Sequence, residues 1–216
     1  ALTNDDHPIF IALQDVFNRY PIKLADFETV IEGMEDDLYP VRNQTWDELR
    51  SYCYKVASAV GLILIEIYGY DDRAARLHAI DLGIQMQLIN VLRDINEDME
   101  RGRVYLPLDV LASHDITLEM LENEAIAETL AWKGFVVEYV EVIKRHQDSA
   151  NHLFGYLDGR ARVQPEIMAD AYTSILQEIV RRSGDVFSQP VKLSPLRKGL
   201  LGVRLSLRKL RARLFA

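Results

Sequence analysis

The stretch Asp81–Pro107, DLGIQMQLINVLRDINEDMERGRVYLP, governs how the rest of the chain is read. Up to Leu92 it is apolar on almost every side, with Ile84, Met86, Leu88, Ile89, Val91 and Leu92 covering most directions around a helix. A helix of that kind is buried among other helices, which predicts an all-α bundle. Gln87 and Asn90 interrupt the apolar surface. At roughly 100° per residue, Gln87, Asn90, Asp94, Asp98 and Arg101 fall in one narrow stripe. A buried amide needs a partner, and carboxylates one turn apart repel unless a proton or a cation relieves them. Asp94 and Asp98 can aim oxygens at a common point, and short carboxylates suit Mg2+, which keeps several waters and takes other ligands from phosphates. An acid pair at this spacing is ordinarily a solvated face. The amides in line with it, the cations Arg93, Arg101 and Arg103 and the aromatic Tyr105 put a diphosphate site on an equal footing.

A 3.6-residue period recurs over about 7–19, 24–38, 45–68, 71–101, 125–157, 165–187 and 195–213, which predicts seven helices. Ile9, Phe10, Leu13, Val16 and Phe17 share a face of the first, which Pro21 stops; Thr45 with Glu48 three residues on is a capping-box start for the third. Pro107 breaks the chain after the fourth, and 107–124 reads as short helical turns. No strand pairing, repeat or linker stands out. Residues 1–191 therefore read as a single helical domain and 192–216 as a basic amphipathic tail.

Composition agrees. Of 216 residues, 49% are hydrophobic and 27% charged, as in a soluble globular domain, and only 11 Gly and 7 Pro disfavour a turn-dense β-sandwich. The longest uncharged apolar run, Val60–Ile65, is far short of the ~20 residues of a membrane span. Cys53, the only cysteine, cannot pair within the chain, so a cytoplasmic location is expected. The opening ALTNDDHP has neither Met nor a signal-peptide pattern, and the expectation is that a front segment is missing.

Of the 25 basic side chains eight lie in 192–216, where no acid occurs, leaving 17 against 33 acidic ones in the rest. An acidic body argues against nucleic acid. The tail, alternating Leu with Arg and Lys, suits a membrane surface or an acidic partner as well as it suits a solvated terminal helix.

Asp81–Pro107 closely resembles the second aspartate-rich motif of the squalene/phytoene synthase family, the class I head-to-head prenyl synthases. HPIFIAL (His7–Leu13), IEGMEDDL (Ile31–Leu38), YCYKVASAVG (Tyr52–Gly61) and AYTSILQEI (Ala171–Ile179) resemble other family segments, in family order. The likeness covers residues 7 to 190. It implies the isoprenoid synthase fold and a monomer. It also implies that Asp94 and Asp98 bind Mg2+ bridging to a substrate diphosphate, with Gln87 and Asn90 on the same polar wall. Arg93 and Arg103 would hold phosphate oxygens, and Tyr105 would sit near the diphosphate and the reacting carbons. Tyr52 and Tyr172 match aromatic positions facing the central cavity; Val56, Ala57, Val60 and Gly61 match small residues that let a prenyl chain pass.

The implied reaction joins two farnesyl or two geranylgeranyl diphosphates head to head through a cyclopropyl diphosphate, with NADPH reduction if the product is squalene. Family members carry a first aspartate-rich motif upstream of the HPIFIAL segment, which this chain does not contain. Asp36 and Asp37 do not replace it, because their GMEDDL context matches a downstream part of the family pattern, and Asp71 and Asp72 are explained by a helix start. The 216 residues alone are therefore expected to be inactive. The alternative is a non-catalytic relative acting as an assembly or interaction protein. A di-iron bundle is disfavoured because His7, His78, His114, His146 and His152 lack a Glu three residues earlier.

Overall fold

The 3.6-residue periodicity is realised as helices in the computed structural model, which describes residues 7–194, 197–200 and 202–206. In order they are α1 (Pro8–Arg19), α2 (Leu24–Asp36), α3 (Trp46–Cys53), a π-helical turn (Tyr54–Ser58), α4 (Ala59–Tyr68), α5 (Ala75–Arg93), α6 (Ile95–Glu100), α7 (Leu108–Ser113) and α8 (Leu118–Leu121). A 3-10 turn (Glu124–Glu128) follows, then α9 (Leu130–Ala150), α10 (Leu153–Tyr156) and α11 (Val163–Arg181). Residues 197–200 and 202–206 are helical, and the rest of the expected terminal helix lies outside the described residues.

α5 is the axis of the bundle, as its all-round apolar surface requires. It packs on α9, α4 and α11, and ten of its residues are buried, among them Ile84, Leu88, Ile89 and Leu92. From α9 come Trp132, Phe135 and Tyr139, all fully buried; Trp132 Nε1 donates to the Gly184 carbonyl at 2.8 Å and the Tyr139 hydroxyl to the Leu88 carbonyl at 3.2 Å. Buried aromatic N–H and O–H groups therefore find partners, and the core carries no loss there.

The stretch Trp46–Tyr68 runs as 23 helical residues, long enough to cross a bilayer. It packs on α2 and α5, with Lys55 and Glu66 in ion pairs, and 33% of its most apolar window is buried. Thr45 starts it as expected, its hydroxyl accepting from Glu48 N at 3.3 Å while the Glu48 carboxylate accepts from Gln44 N. Where it crosses α5, a Cβ on Gly83 would lie 2.6 Å from the backbone of Ser58, so only glycine permits this approach.

Two expected helices are interrupted. The one expected over 71–101 starts only at Ala75, because Asp71 N donates to the Tyr156 carbonyl and Asp72 Oδ1 accepts from Ala74 N in a turn. It ends at Arg93, where Asp94 takes φ −103°, ψ 19° before α6 begins. The one expected over 125–157 is cut at Thr129, whose extended backbone and hydroxyl cap α9.

Candidate active site

Asp94 sits at the bend between α5 and α6. The helical bonds from Asp94 N to Asn90 O and from Asp98 N to Asp94 O, both 2.9 Å, carry the hydrogen-bond ladder across the bend. The polar stripe thus survives in altered form. α6 closes in a Schellman arrangement: Gly102 at φ 73° lets Arg103 N reach the Asp98 carbonyl and Gly102 N the Met99 carbonyl, each at 2.9 Å. That turn sends Arg103 and Tyr105 back toward α2.

The returning segment is pinned to the loop after α2. Val104 N donates to the Val41 carbonyl, Leu108 N to Asn43 O, and the buried Asn43 amide to the Tyr105 carbonyl at 2.8 Å. Asp37 is thereby carried into the site. Its carboxylate accepts from the Tyr105 hydroxyl at 2.7 Å and the Tyr52 hydroxyl at 3.3 Å, while Arg103 donates to its backbone carbonyl at 2.6 Å. The Tyr52 and Tyr105 rings stack with centroids 4.6 Å apart. Burial first, then the partner hydroxyl and Asp37, push the Tyr52 pKa far up. Tyr105 rises to about 12 through burial. Both are neutral phenols at any physiological pH.

Burial and the nearby Asp94 charge lift Asp98 to about 6, against the opposing pull of Arg101 and Arg103. Asp94 itself is clasped by its neighbour: Arg93 Nε and Nη2 donate to its two oxygens at 2.6 and 2.5 Å. Arg93 and Asp94 also line a pocket of about 410 Å3 with Asn96, Phe187, Lys192 and Lys198.

A second cavity, about 260 Å3, opens between α4, α5 and α11. Val56, Ala57, Val60, Gly61 and Tyr172 line it together with Leu64, Met86 and Met168, and Gln87 and Asn90 form its polar end. The Asn90 amide donates to Gln87 Oε1 at 3.1 Å, whereas its own Oδ1 is buried without a partner among the described residues. The residues singled out from the sequence are thus divided: Gln87, Asn90, Tyr172, Val56, Ala57, Val60 and Gly61 line the apolar cavity, Arg93 and Asp94 the other pocket, and Tyr52, Arg103 and Tyr105 gather on Asp37, while Asp98 and Arg101 line neither cavity. Asp37 was missed. Its acidic context in GMEDDL was visible, but its approach to Tyr105 depends on loop pairing 60 residues away in the chain.

The squalene/phytoene synthase family model matches residues 1–197. The chain belongs to the squalene/phytoene synthase family. It is 33% identical to a phytoene synthase of Arthrospira platensis over 95% of this chain and 69% of that protein. With chloroplastic phytoene synthase 2 of rice it shares 33% identity over 87% of this chain, spanning 48% of the relative. A dehydrosqualene synthase crystal structure superposes with a TM-score of 0.81 at 25% identity, covering 97% of this chain and 72% of that one. For a squalene synthase of Alicyclobacillus acidocaldarius the TM-score is 0.78 at 25% identity, over 83% and 68% of the two chains. The all-α isoprenoid synthase fold expected from the sequence is the observed one.

Whether these residues suit Mg2+ is answered by donor chemistry. Among the described residues no three acids, histidines or cysteines gather to hold a metal alone. The orphaned Asn90 Oδ1 is a hard oxygen in want of a cation or donor, and Asp98, disfavoured as a bare anion, has the same need. Such donors would suit an ion which takes its remaining ligands from water and phosphate.

Proposed function

We propose that this chain carries the site for Mg2+-dependent, head-to-head condensation of two prenyl diphosphates to a squalene- or phytoene-type hydrocarbon by way of a cyclopropyl diphosphate. The observation that carries this reading is Asn90, its Oδ1 orphaned at the polar end of an apolar cavity, one helical turn before Asp94 and two before Asp98 in the chain, with Arg93 on Asp94 and Arg103 on Asp37. Family membership supports the same chemistry.

Asp94, Asp98 and Asn90 would hold Mg2+, which supplies charge neutralisation to the departing diphosphate. Arg103, anchored on Asp37, and Arg93, beside Asp94, present guanidiniums that bind phosphate oxygens as ionisation proceeds. Ionisation leaves an allylic cation, which the double bond of the second prenyl diphosphate attacks; a proton lost from the adduct to the departed diphosphate closes the cyclopropane. Stacked Tyr52 and Tyr105 offer aromatic surface to that cation, and Asp37 fixes both rings through their hydroxyls. Both phenols stay protonated, each with its one O–H given to Asp37, so neither quenches the cation as a phenolate would. Val56, Ala57, Gly61 and Met86 give the prenyl chain an apolar path.

The long apolar product fits a protein resting on a membrane from the cytoplasmic side. The Leu- and Arg-rich stretch 192–216 supports this contact, although Arg197 is turned to the Ser174 carbonyl and Arg204 to Asp170, which hold its described part against α11. The test is incubation of an enzyme carrying these residues with C15 and C20 diphosphates, Mg2+ and, in a parallel reaction, NADPH, followed by hydrocarbon extraction. A head-to-head product that disappears on chelation supports the reading; full activity without divalent metal, or no product from either substrate, overturns it.

A further inference from the structure

α2 ends on consecutive acids. Glu35, Asp36 and Asp37 stand at its carbonyl end, where the helix dipole disfavours negative charge, and its last turn holds no base of its own. The compensating cations arrive from other segments: Lys55 Nζ meets Asp36 Oδ2 at 2.9 Å, and Arg103 donates to the Asp37 carbonyl at 2.6 Å. One comes from the π-helical turn and the other from the segment after α6, so the end of α2 is held by two separate parts of the chain.

The seam between α2 and the π-helical turn is close and in register. Gly33, Asp36 and Asp37 share one face of α2 at spacings of three and four residues, and they meet Val56, Lys55 and Tyr52, which are spaced in the same way. A Cβ on Gly33 would lie 2.8 Å from Val56 Cγ1 and 2.9 Å from Lys55 Cβ, so the approach requires glycine. The turn itself, with Ala59 N reaching back to the Tyr54 carbonyl, is of the wide kind that concentrates at functional sites. Its Val56 and Ala57 line the apolar cavity while Lys55 bonds to α2.

We propose that Lys55 is a positioning residue for the condensation site: by neutralising Asp36 it fixes the end of α2, and so sets Asp37 where it accepts from both the Tyr52 and the Tyr105 hydroxyl. This rests on the condensation reading above for what the two rings do, and on geometry alone for how they are placed. Lys55 lines neither the apolar cavity nor the Arg93–Asp94 pocket, so it acts through Asp37 and not on a substrate. With side chains 27% and 45% exposed, the Lys55–Asp36 pair adds little to stability, and its loss shows at the site.

The test labels the 216-residue chain with 3-fluorotyrosine and reads its 19F NMR spectrum at pH 7, the Tyr52 and Tyr105 lines being identified by Tyr52→Phe and Tyr105→Phe. Lys55→Met and Asp36→Asn are each expected to move both lines by more than their widths, with the other tyrosine lines in place and the melting temperature within about 2 °C of the parent. The double variant moves them no further than either change alone, since the two side chains act as one unit, and Lys55→Arg keeps the parent positions. Lys144→Met, which breaks the exposed pair with Glu141 on α9, leaves them unmoved. In an active enzyme carrying the chain, Lys55→Met is expected to lower kcat about tenfold with KM unchanged, as a small misplacement of the site does. Tyr52 and Tyr105 lines that stay put in Lys55→Met, shifts spread evenly over all the tyrosines, or an unchanged kcat overturn the inference and leave the condensation reading standing. A parent enzyme that makes no head-to-head product overturns that reading and the effect on kcat, while the fluorine lines still decide the placement of Asp37.

Discussion

Asp98 is the residue at which stability and activity are set against each other. Its carboxyl, lifted to about 6 by burial and by Asp94, binds a proton more tightly in the folded than in the unfolded chain, where a carboxylate titrates near 4. Between those two values the native state holds the extra proton, so stability falls as pH rises through the window and the loss is complete above it. Asp98→Asn is therefore expected to raise the melting temperature of the metal-free protein at pH 7.5, an advantage that shrinks toward pH 4; differential scanning fluorimetry at both pH values checks it. In an active enzyme carrying the chain, the same substitution, like Asp94→Asn, is expected to lower turnover by several orders of magnitude, since it removes charge stabilisation specific to ionisation. Asp37 acts at one remove. Asp37→Ala frees the Tyr52 and Tyr105 rings, and a loss of about 100-fold in kcat with little change in KM is expected from misplaced groups. Steady-state kinetics with Tyr105→Phe alongside separates loss of the hydroxyl from loss of position.

At the scale of elements, glycine and a bend shape the site. Gly83 lets α4 and the π-helical turn before it lie backbone to backbone against α5, which sets the width of the apolar channel. Gly83→Ala forces the two helices apart and is expected to cost about 1–3 kcal/mol, measured as a shift of the urea midpoint at constant slope. The stripe Gln87, Asn90, Asp94 and Asp98 was legible because a helix projects sequence spacing directly onto a face. What spacing could not convey is the bend at Asp94, which gives that carboxylate to Arg93 while Gln87 and Asn90 line the cavity. A change of two backbone angles redirects side chains without any trace in hydrophobic periodicity.

For the molecule as a whole, apolar surface is unevenly placed. None of α1 is buried; Ile9 and Ile11 are 60% and 59% exposed, and on the neighbouring α2 and its following loop Met34 and Leu38 reach 64% and 76%. Val60, in the channel wall, is itself 38% exposed, so the wall is open to water there. The 216 residues alone are accordingly expected to bind a hydrophobic dye, to associate as concentration rises, and to release prenyl alcohol rather than a C30 or C40 hydrocarbon. Light scattering and product extraction check both, and Ile11→Lys combined with Met34→Lys should lower the dye signal.

Local periodicity, the Thr45 cap and the amphipathic faces were enough to establish an all-α bundle built around the helix of Asp81–Pro107, because burial imposes its pattern on neighbouring residues in the chain. The same arithmetic singled out the carboxylates and amides but not their division between separate pockets. Asp37's place beside Tyr105, the pinning of Asn43 on the Tyr105 carbonyl and the apolar cavity between α4, α5 and α11 emerged only on folding. Those are meetings between segments far apart in sequence, governed by how loops pair and helices cross, and such contacts leave no period to read.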